Sequence, residues 1–220
     1  MIGDRVHRYL DPEESLGELL FGLIMTLTVT LGIRLLSPLE PLSPRDLAAA
    51  LIGCNVAWGI IDAALYLLGS LFARNRRIHF VRKLHGMPTQ AEALQAIREE
   101  FGLEEAHLVQ QEDLAAYHRA TLDLLKHARI ERAHLRGTDL AAAAMIVGLV
   151  SIAAVPGAVP LLIIEDSVLA LRSANLLQIG LLFAAGYHWA RFSGAPPWRT
   201  GAAMVGLGVA LVAVAIALGG

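Results

Sequence analysis

One cysteine, Cys54, stands in 220 residues. That excludes an internal disulfide and a cysteine-based zinc cluster. Charge is also scarce, with 18 Lys and Arg against 20 Asp and Glu and a formal net charge of -2. Such a balance leaves no surplus of cations to neutralise a phosphate backbone, so no nucleic-acid partner is expected. No nucleophile–base pair and no cofactor motif is legible, which makes an enzyme the least expected class and a permanently bound cofactor unexpected. Met1 to Tyr9 contains neither an apolar core nor a small-residue cleavage site. The first hydrophobic stretch is therefore expected to serve as the insertion signal instead of a cleaved leader. No repeat of 20–50 residues is visible.

What the chain does have is apolar surface. It is 55% hydrophobic, with a mean hydropathy of +0.55, against about 45–50% apolar for an ordinary soluble domain. A bilayer crossing needs roughly 20 apolar residues. Five such stretches can be drawn, at Leu16–Leu36, Ala48–Phe72, Leu140–Ile164, Ser167–Ala190 and Gly201–Leu218. Local punctuation agrees with them. Asp11-Pro12-Glu13-Glu14 and Ser43-Pro44-Arg45-Asp46 read as helix starts, with a capping side chain, proline at the first helical position and acids at the positive end of the dipole. Pro156 and Pro160 break the third span, Glu165-Asp166-Ser167 caps the fourth, and the last is rich in Gly and Ala, which suits close helix contact.

The second stretch carries the chemistry. Cys54, Asn55 and Asp62 interrupt it, and Arg74, Arg76 and Arg77 follow its end. An ionisable group inside a span costs at least ~2.5 kcal/mol on insertion scales and normally faces protein or an aqueous path. Steps of seven and four set Asn55, Asp62 and Tyr66 along one helix face. The first span adds Glu18 near its start and then Met25, Thr26, Thr28 and Thr30. The threonine hydroxyls are expected to bond back to the preceding turn. Asn55 on its own reads as an interhelical hydrogen-bonding residue and Cys54 as a small packing residue.

Between Arg74 and Arg136 the character becomes that of a soluble helical segment. His79 to Met87 is basic and amphipathic, as if to lie on lipid headgroups. Thr89-Gln90-Ala91-Glu92 is a capping box opening a helix through Phe101 that Gly102 ends. A short helix is expected around Glu104–Val109 and a longer one from about Glu112 to Leu135. On the latter, His127, Glu131 and His134 stand at i, i+4 and i+7 and offer three metal ligands on one face; Glu100, Glu104 and His107 repeat the spacing around Gly102. Histidine with carboxylate suits iron, manganese or zinc. The same mixture also makes an ordinary solvated face with i,i+4 pairs.

The expected fold is thus an all-α membrane protein of five transmembrane helices, with a small cytoplasmic helical insert between helices 2 and 3. Its segments are 1–73, 74–137 and 138–220. Five spans put the termini on opposite sides. The face shared by the N-terminal tail, the insert and the Arg191–Arg199 loop holds nearly all the Lys and Arg. Positive-inside then makes the N-terminus and insert cytoplasmic and leaves the C-terminus outside, in the cell's inner (plasma) membrane.

The C-terminal third resembles a known family. Val155-Pro156-Gly157-Ala158-Val159-Pro160-Leu161-Leu162, Leu181-Leu182-Phe183-Ala184-Ala185-Gly186-Tyr187, Ala190-Arg191-Phe192-Ser193-Gly194 and Trp198-Arg199-Thr200-Gly201 with Met204 and Gly206 are similar to the vacuolar iron transporters. The five-span layout with its insert is similar too. The resemblance implies a homodimer that moves ferrous iron or manganese out of the cytosol in exchange for protons, with a path between subunits and metal capture by the insert. Glu18-Leu19-Leu20-Phe21-Gly22 is similar to the family's Asp-Ala-Val-Phe-Gly. Where the family then has Asn-Asp-Gly, this chain has Ile24-Met25-Thr26, and where it has Met…Gly-Glu-Tyr, this chain has Trp58-Gly59-Ile60-Ile61-Asp62. Asp62 is expected to replace the missing charge, with Met25 as a soft ligand and Glu18, Asn55 and Tyr66 beside the path. Two other readings remain open. One is a scaffold or metal sensor that keeps the fold without transporting. The other is a carrier of a different small ion gated by Arg172, Asn175 and Gln178.

Overall fold

The computed structural model describes residues 12–36, 43–102 and 109–217. Most of the described residues are helical, and none of them lies in a strand. In chain order the helices are α1 (Pro12–Leu36), α2 (Pro44–His85), α3 (Gln90–Glu100), α4 (Gln111–Lys126), α5 (Gly137–Ala153), α6 (Val155–Ile163), α7 (Ser167–Ser193) and α8 (Pro197–Ala217). Five stretches among them are long and apolar enough to cross a membrane: Glu14–Gly32, Pro44–His85, Gly137–Ile163, Ser167–Ser193 and Pro197–Val214. The chain is an all-α, multi-pass membrane protein. By contact it divides into two compact units, Met1–Leu67 with Arg136–Gly220, and Leu68–Leu135.

The helix starts follow the local chemistry. α1 begins at Pro12; its expected cap, Asp11, lies outside the described residues. At the head of α2, Ser43 Oγ accepts from Asp46 N at 3.2 Å and donates to the Asp46 carboxylate at 2.6 Å. Asp166 caps α7 by accepting from Leu169 N at 2.7 Å. Gly194 ends that helix with φ 69°, a left-handed conformation that costs glycine least. The third span is interrupted as its prolines require: α5 stops at Ala153, α6 starts at Val155, and Pro160 sits inside α6.

In the membrane unit the first two spans pack on the third through glycine. A Cβ on Gly22 would lie 2.6 Å from Ala153 Cβ and 2.9 Å from Val150 O. One on Gly59 would lie 3.1 Å from Val147 Cα. Around these contacts Leu20, Leu23 and Leu27 of α1 bury against Ala153, Leu182 and Ala185. On the α2 side, Ala63 buries among Ala142, Ala143, Ile146 and Val150. α8 closes on α7 the same way, with Gly201 against Phe183 and Gly208 against Leu182.

The second unit differs from the sequence reading in two places. The basic, amphipathic stretch from His79 is the end of a longer helix than the second apolar stretch alone: α2 runs unbroken for 42 residues to His85, about 63 Å at 1.5 Å per residue. No proline occurs between Arg45 and Met87 to stop it. Its apolar side there is used inside the protein, where Leu84 buries with Ala93, Ile97 and Leu122, and Phe80 meets the ring of Phe101 edge-on at 5.7 Å. Thr89 does cap α3, accepting from Glu92 N at 3.3 Å. The second difference is the end of α4. The expected helix to Leu135 stops at Lys126, and the chain from Ala128 to Arg136 is non-helical. Histidines take over the carbonyls of the last turn: His127 Nδ1 lies 2.8 Å from Asp123 O, and His85 Nε2 lies 2.9 Å from Leu125 O. The expected helix around Glu104–Val109 falls largely outside the described residues.

Gly22→Ile should lower stability by about 1–3 kcal/mol through overpacking against Val150 and Ala153. A drop in the thermal midpoint of the detergent-solubilised protein, followed by tryptophan fluorescence, checks it. An unchanged midpoint counts against the close approach of the first and third spans.

Candidate functional site

The first and second spans meet along an antiparallel polar seam. Near one end, Glu18 of α1 and Asp62 of α2 lie within Coulombic range of each other. One turn further along, Phe21 and Trp58 stack edge-on at 5.7 Å. Next, the Asn55 amide donates to Thr26 Oγ1 at 3.3 Å and to Leu51 O at 3.1 Å. Thr30 then reaches the fourth span, with its Oγ1 2.7 Å from Asn175 Oδ1. Glu18, Gly22, Thr26 and Thr30 recur at steps of four, so they occupy one stripe of α1. All three threonine hydroxyls bond back as expected: Thr26 to Gly22 O, Thr28 to Ile24 O and Thr30 to Thr26 O, at 2.9–3.0 Å.

Burial makes this seam costly unless it is satisfied. Thr26, Thr30, Asn55 and Gln178 are fully buried. Asn55 Oδ1, Gln178 Oε1 and Asp62 Oδ2 have no hydrogen-bond partner among the described residues. A buried unmatched polar group costs roughly 1–3 kcal/mol. Such groups have three ordinary explanations: strain, a water or ion that supplies the partner, or a functional role. Asp62 and Tyr66 are half-buried on the same side of α2 as Asn55, and Tyr66 packs beside Ala63 and Ile146. Met25 is half-buried on α1. Cys54, a free thiol, is half-buried next to Asn55.

The broken third span joins the seam. Helix α5 ends at Ala153, and Ala153 O accepts from Gln178 Nε2 at 3.1 Å. The backbone must stay bare here: a Cβ on Gly157 would come within 2.7 Å of both Gln178 Nε2 and Thr26 Cγ2. Four spans therefore converge on Thr26, Asn55, Gly157 and Gln178.

The soluble-type unit does not bring its candidate ligands together on one helix face. His127 is the C-cap of α4, while Glu131 and His134 follow it in the non-helical segment, so the i, i+4, i+7 spacing is not a helical one. The reason is tertiary. Arg74 Nη1 donates to His134 O at 2.9 Å and holds the segment extended. Glu100 pairs with Arg76 at 2.6 Å. Glu104 and His107 lie outside the described residues. Among the described residues no group of three or more His, Cys, Asp or Glu side chains is placed to hold a metal ion.

With this geometry in hand, the comparison with known proteins is direct. The family model of the VIT family matches residues 49–220. The chain belongs to the VIT family. This is a family of membrane transporters of metals and other ions, so transport is the general activity. The match takes in α2 from near its start through the last span and leaves α1 outside. It thus reaches well upstream of the Val155 motifs that carry the resemblance by eye. No curated protein matches the chain. In this VIT-family member the sequence reading missed the partners of the seam. Thr30 with Asn175, and Gln178 with the Ala153 carbonyl, pair residues 145 and 25 positions apart. The one available signal was the clustering of amides in the first half of the fourth span, opposite a proline-broken third.

Gln178→Leu removes the donor to Ala153 O while keeping the volume. Interhelical hydrogen bonds in membranes average about 0.6 kcal/mol and reach about 1.7, so a loss within that range is expected. The thermal midpoint in detergent measures it. A midpoint equal to wild type means the bond contributes nothing net.

Proposed function

We propose that the protein carries a divalent metal cation, Fe²⁺ or Mn²⁺, out of the cytosol in exchange for protons, with Zn²⁺ a further candidate cargo. Glu18 and Asp62 are the pair that takes the metal, with Met25, Asn55 and Tyr66 along the path. The observation that carries this reading is Asp62 Oδ2, buried in the second span without a hydrogen-bond partner among the described residues, with the Glu18 carboxylate of the first span near enough to act on it through charge. Two carboxylates that act on each other in a medium of low dielectric repel, and a divalent cation or a proton near them relieves the repulsion. Hard oxygen donors suit Mn²⁺ and Fe²⁺, and a thioether adds softness. Loading with metal on one side and with protons on the other would turn the pair over. In this reading the protein sits as a homodimer in the inner membrane, its N-terminus and the 74–137 segment cytoplasmic and its C-terminus outside. The charge asymmetry of the sequence supports that orientation.

A second reading, a non-transporting scaffold or metal sensor, is favoured by one observation. The stretch outside the family match contains Ile24-Met25-Thr26 in place of the family's aspartate.

Flux of Fe²⁺, Mn²⁺, Zn²⁺ and Ca²⁺ into proteoliposomes, with a pH probe inside, separates the two. Under the carrier reading wild type shows metal flux with opposing proton movement. Asp62→Asn lowers that flux at least about tenfold, the factor set by ~1.4 kcal/mol of lost binding, without changing the thermal midpoint by more than a few degrees. No flux of any ion from well-folded protein selects the scaffold or sensor.

A further inference from the structure

The soluble-type unit contains a groove that the transport reading does not use. It encloses about 570 Å³, and its walls are two different pieces of chain. One wall is α2, which presents Phe72, Arg76, His79 and Arg82; the other is the non-helical segment after α4, which presents Glu131 and Arg132. That segment is tethered by the Arg74 bond to His134 O, so the groove has two sides in the folded state. Three guanidinium groups and an imidazole face one carboxylate. Arg76 is partly engaged, since its Nη2 pairs with Glu100 at 2.6 Å. A guanidinium has five N–H donors, so that pair leaves it able to bind a second anion.

We infer that this groove holds the phosphate of an anionic phospholipid headgroup. The charge fits: arginines presented from two sides match the bidentate geometry of phosphate oxygens. The apolar lip points to a lipid as the source of that phosphate. Phe72 is 73% exposed at the end of the groove, and Leu68, one turn before it on α2, is 64% exposed. Both lie in the mostly apolar run Ala64–Phe72 of α2 that gives way to Arg74, Arg76 and Arg77. From Phe72 to Arg82 the helix rises about 15 Å. Acyl chain against Leu68 and Phe72 with headgroup phosphate among Arg76, His79, Arg82 and Arg132 is the arrangement expected of a juxtamembrane basic cluster. Glu131 in the opposite wall disfavours a second anionic group, which fits a headgroup with one phosphate.

Native mass spectrometry of the full chain in detergent tests this, with equimolar phosphatidylglycerol and phosphatidylcholine added. Wild type should retain phosphatidylglycerol preferentially. Arg82→Gln with Arg132→Gln should weaken that retention about fivefold per arginine removed, taking ~1 kcal/mol for each basic residue at the surface. Arg98→Gln, on an exposed position of α3 outside the groove, should leave it unchanged. Arg132→Gln alone, on the non-helical wall, keeps the test open if the double variant does not fold. No preference between the two lipids, or equal retention by wild type and the groove variants, overturns the assignment. Displacement of phosphatidylglycerol by millimolar inorganic phosphate also overturns it and gives the groove to a soluble phosphate.

Discussion

A carbonyl oxygen released inside a membrane has no water to turn to, and the membrane unit is arranged around one such atom. The third span breaks ahead of Pro156, its first helix stops at Ala153, and the Ala153 carbonyl takes a hydrogen bond from Gln178 on the next span. That single contact ties three choices together. Gln178 must be long enough to reach across and is buried completely in doing so. Residue 157 must be glycine, because a Cβ there would occupy the space of the Gln178 amide and of Thr26. Thr26 in turn supplies the oxygen that Asn55 needs. A break in one helix therefore determines small or polar side chains on three others.

The seam between α1 and α2 follows the same logic with charge added. Glycines at 22 and 59 let both helices settle on α5, and that close approach brings their polar stripes face to face. Where the partners are hydroxyl and amide, the amide N–H groups of Asn55 and Gln178 find acceptors while their oxygens find no donor among the described residues. Where they are Glu18 and Asp62, they do not, because two acceptors of like sign cannot bond without a proton or a cation between them. An apolar pair would pack there at lower cost. Unmatched oxygens thus occur both in the middle of the seam, at Asn55 Oδ1 and Gln178 Oε1, and at its charged end, at Asp62 Oδ2, among the described residues.

Much of this was legible beforehand, and the exceptions share a cause. Helix starts at Pro12, Pro44 and Gln90, the proline break in the third span and the back-bonding threonines depend on residues within one turn of each other, and sequence reports such neighbours well. Spans are legible because a bilayer sets a length that apolar runs must meet. The end of α4 was not legible: Ala128 to Leu135 has good helix formers and neither Gly nor Pro. Its release from the helix depends on Arg74, some sixty residues away, and on His85, forty away. The three-ligand stripe His127, Glu131 and His134 was built on that helix and dissolves with it. The unbroken α2 misled for the opposite reason. A change from apolar to basic composition at Arg74 marks where the solvent changes, and a helix has no need to stop there.

That continuity has a mechanical consequence. Between Arg45 and Met87 the chain has no proline, and every residue from Pro44 to His85 is helical. Kinks require a proline, a glycine–serine pair, a π-bulge or an inserted group. Gly69-Ser70 is the place in α2 where that condition is met. It lies between Tyr66 at the end of the seam and Phe72 at the lip of the basic groove.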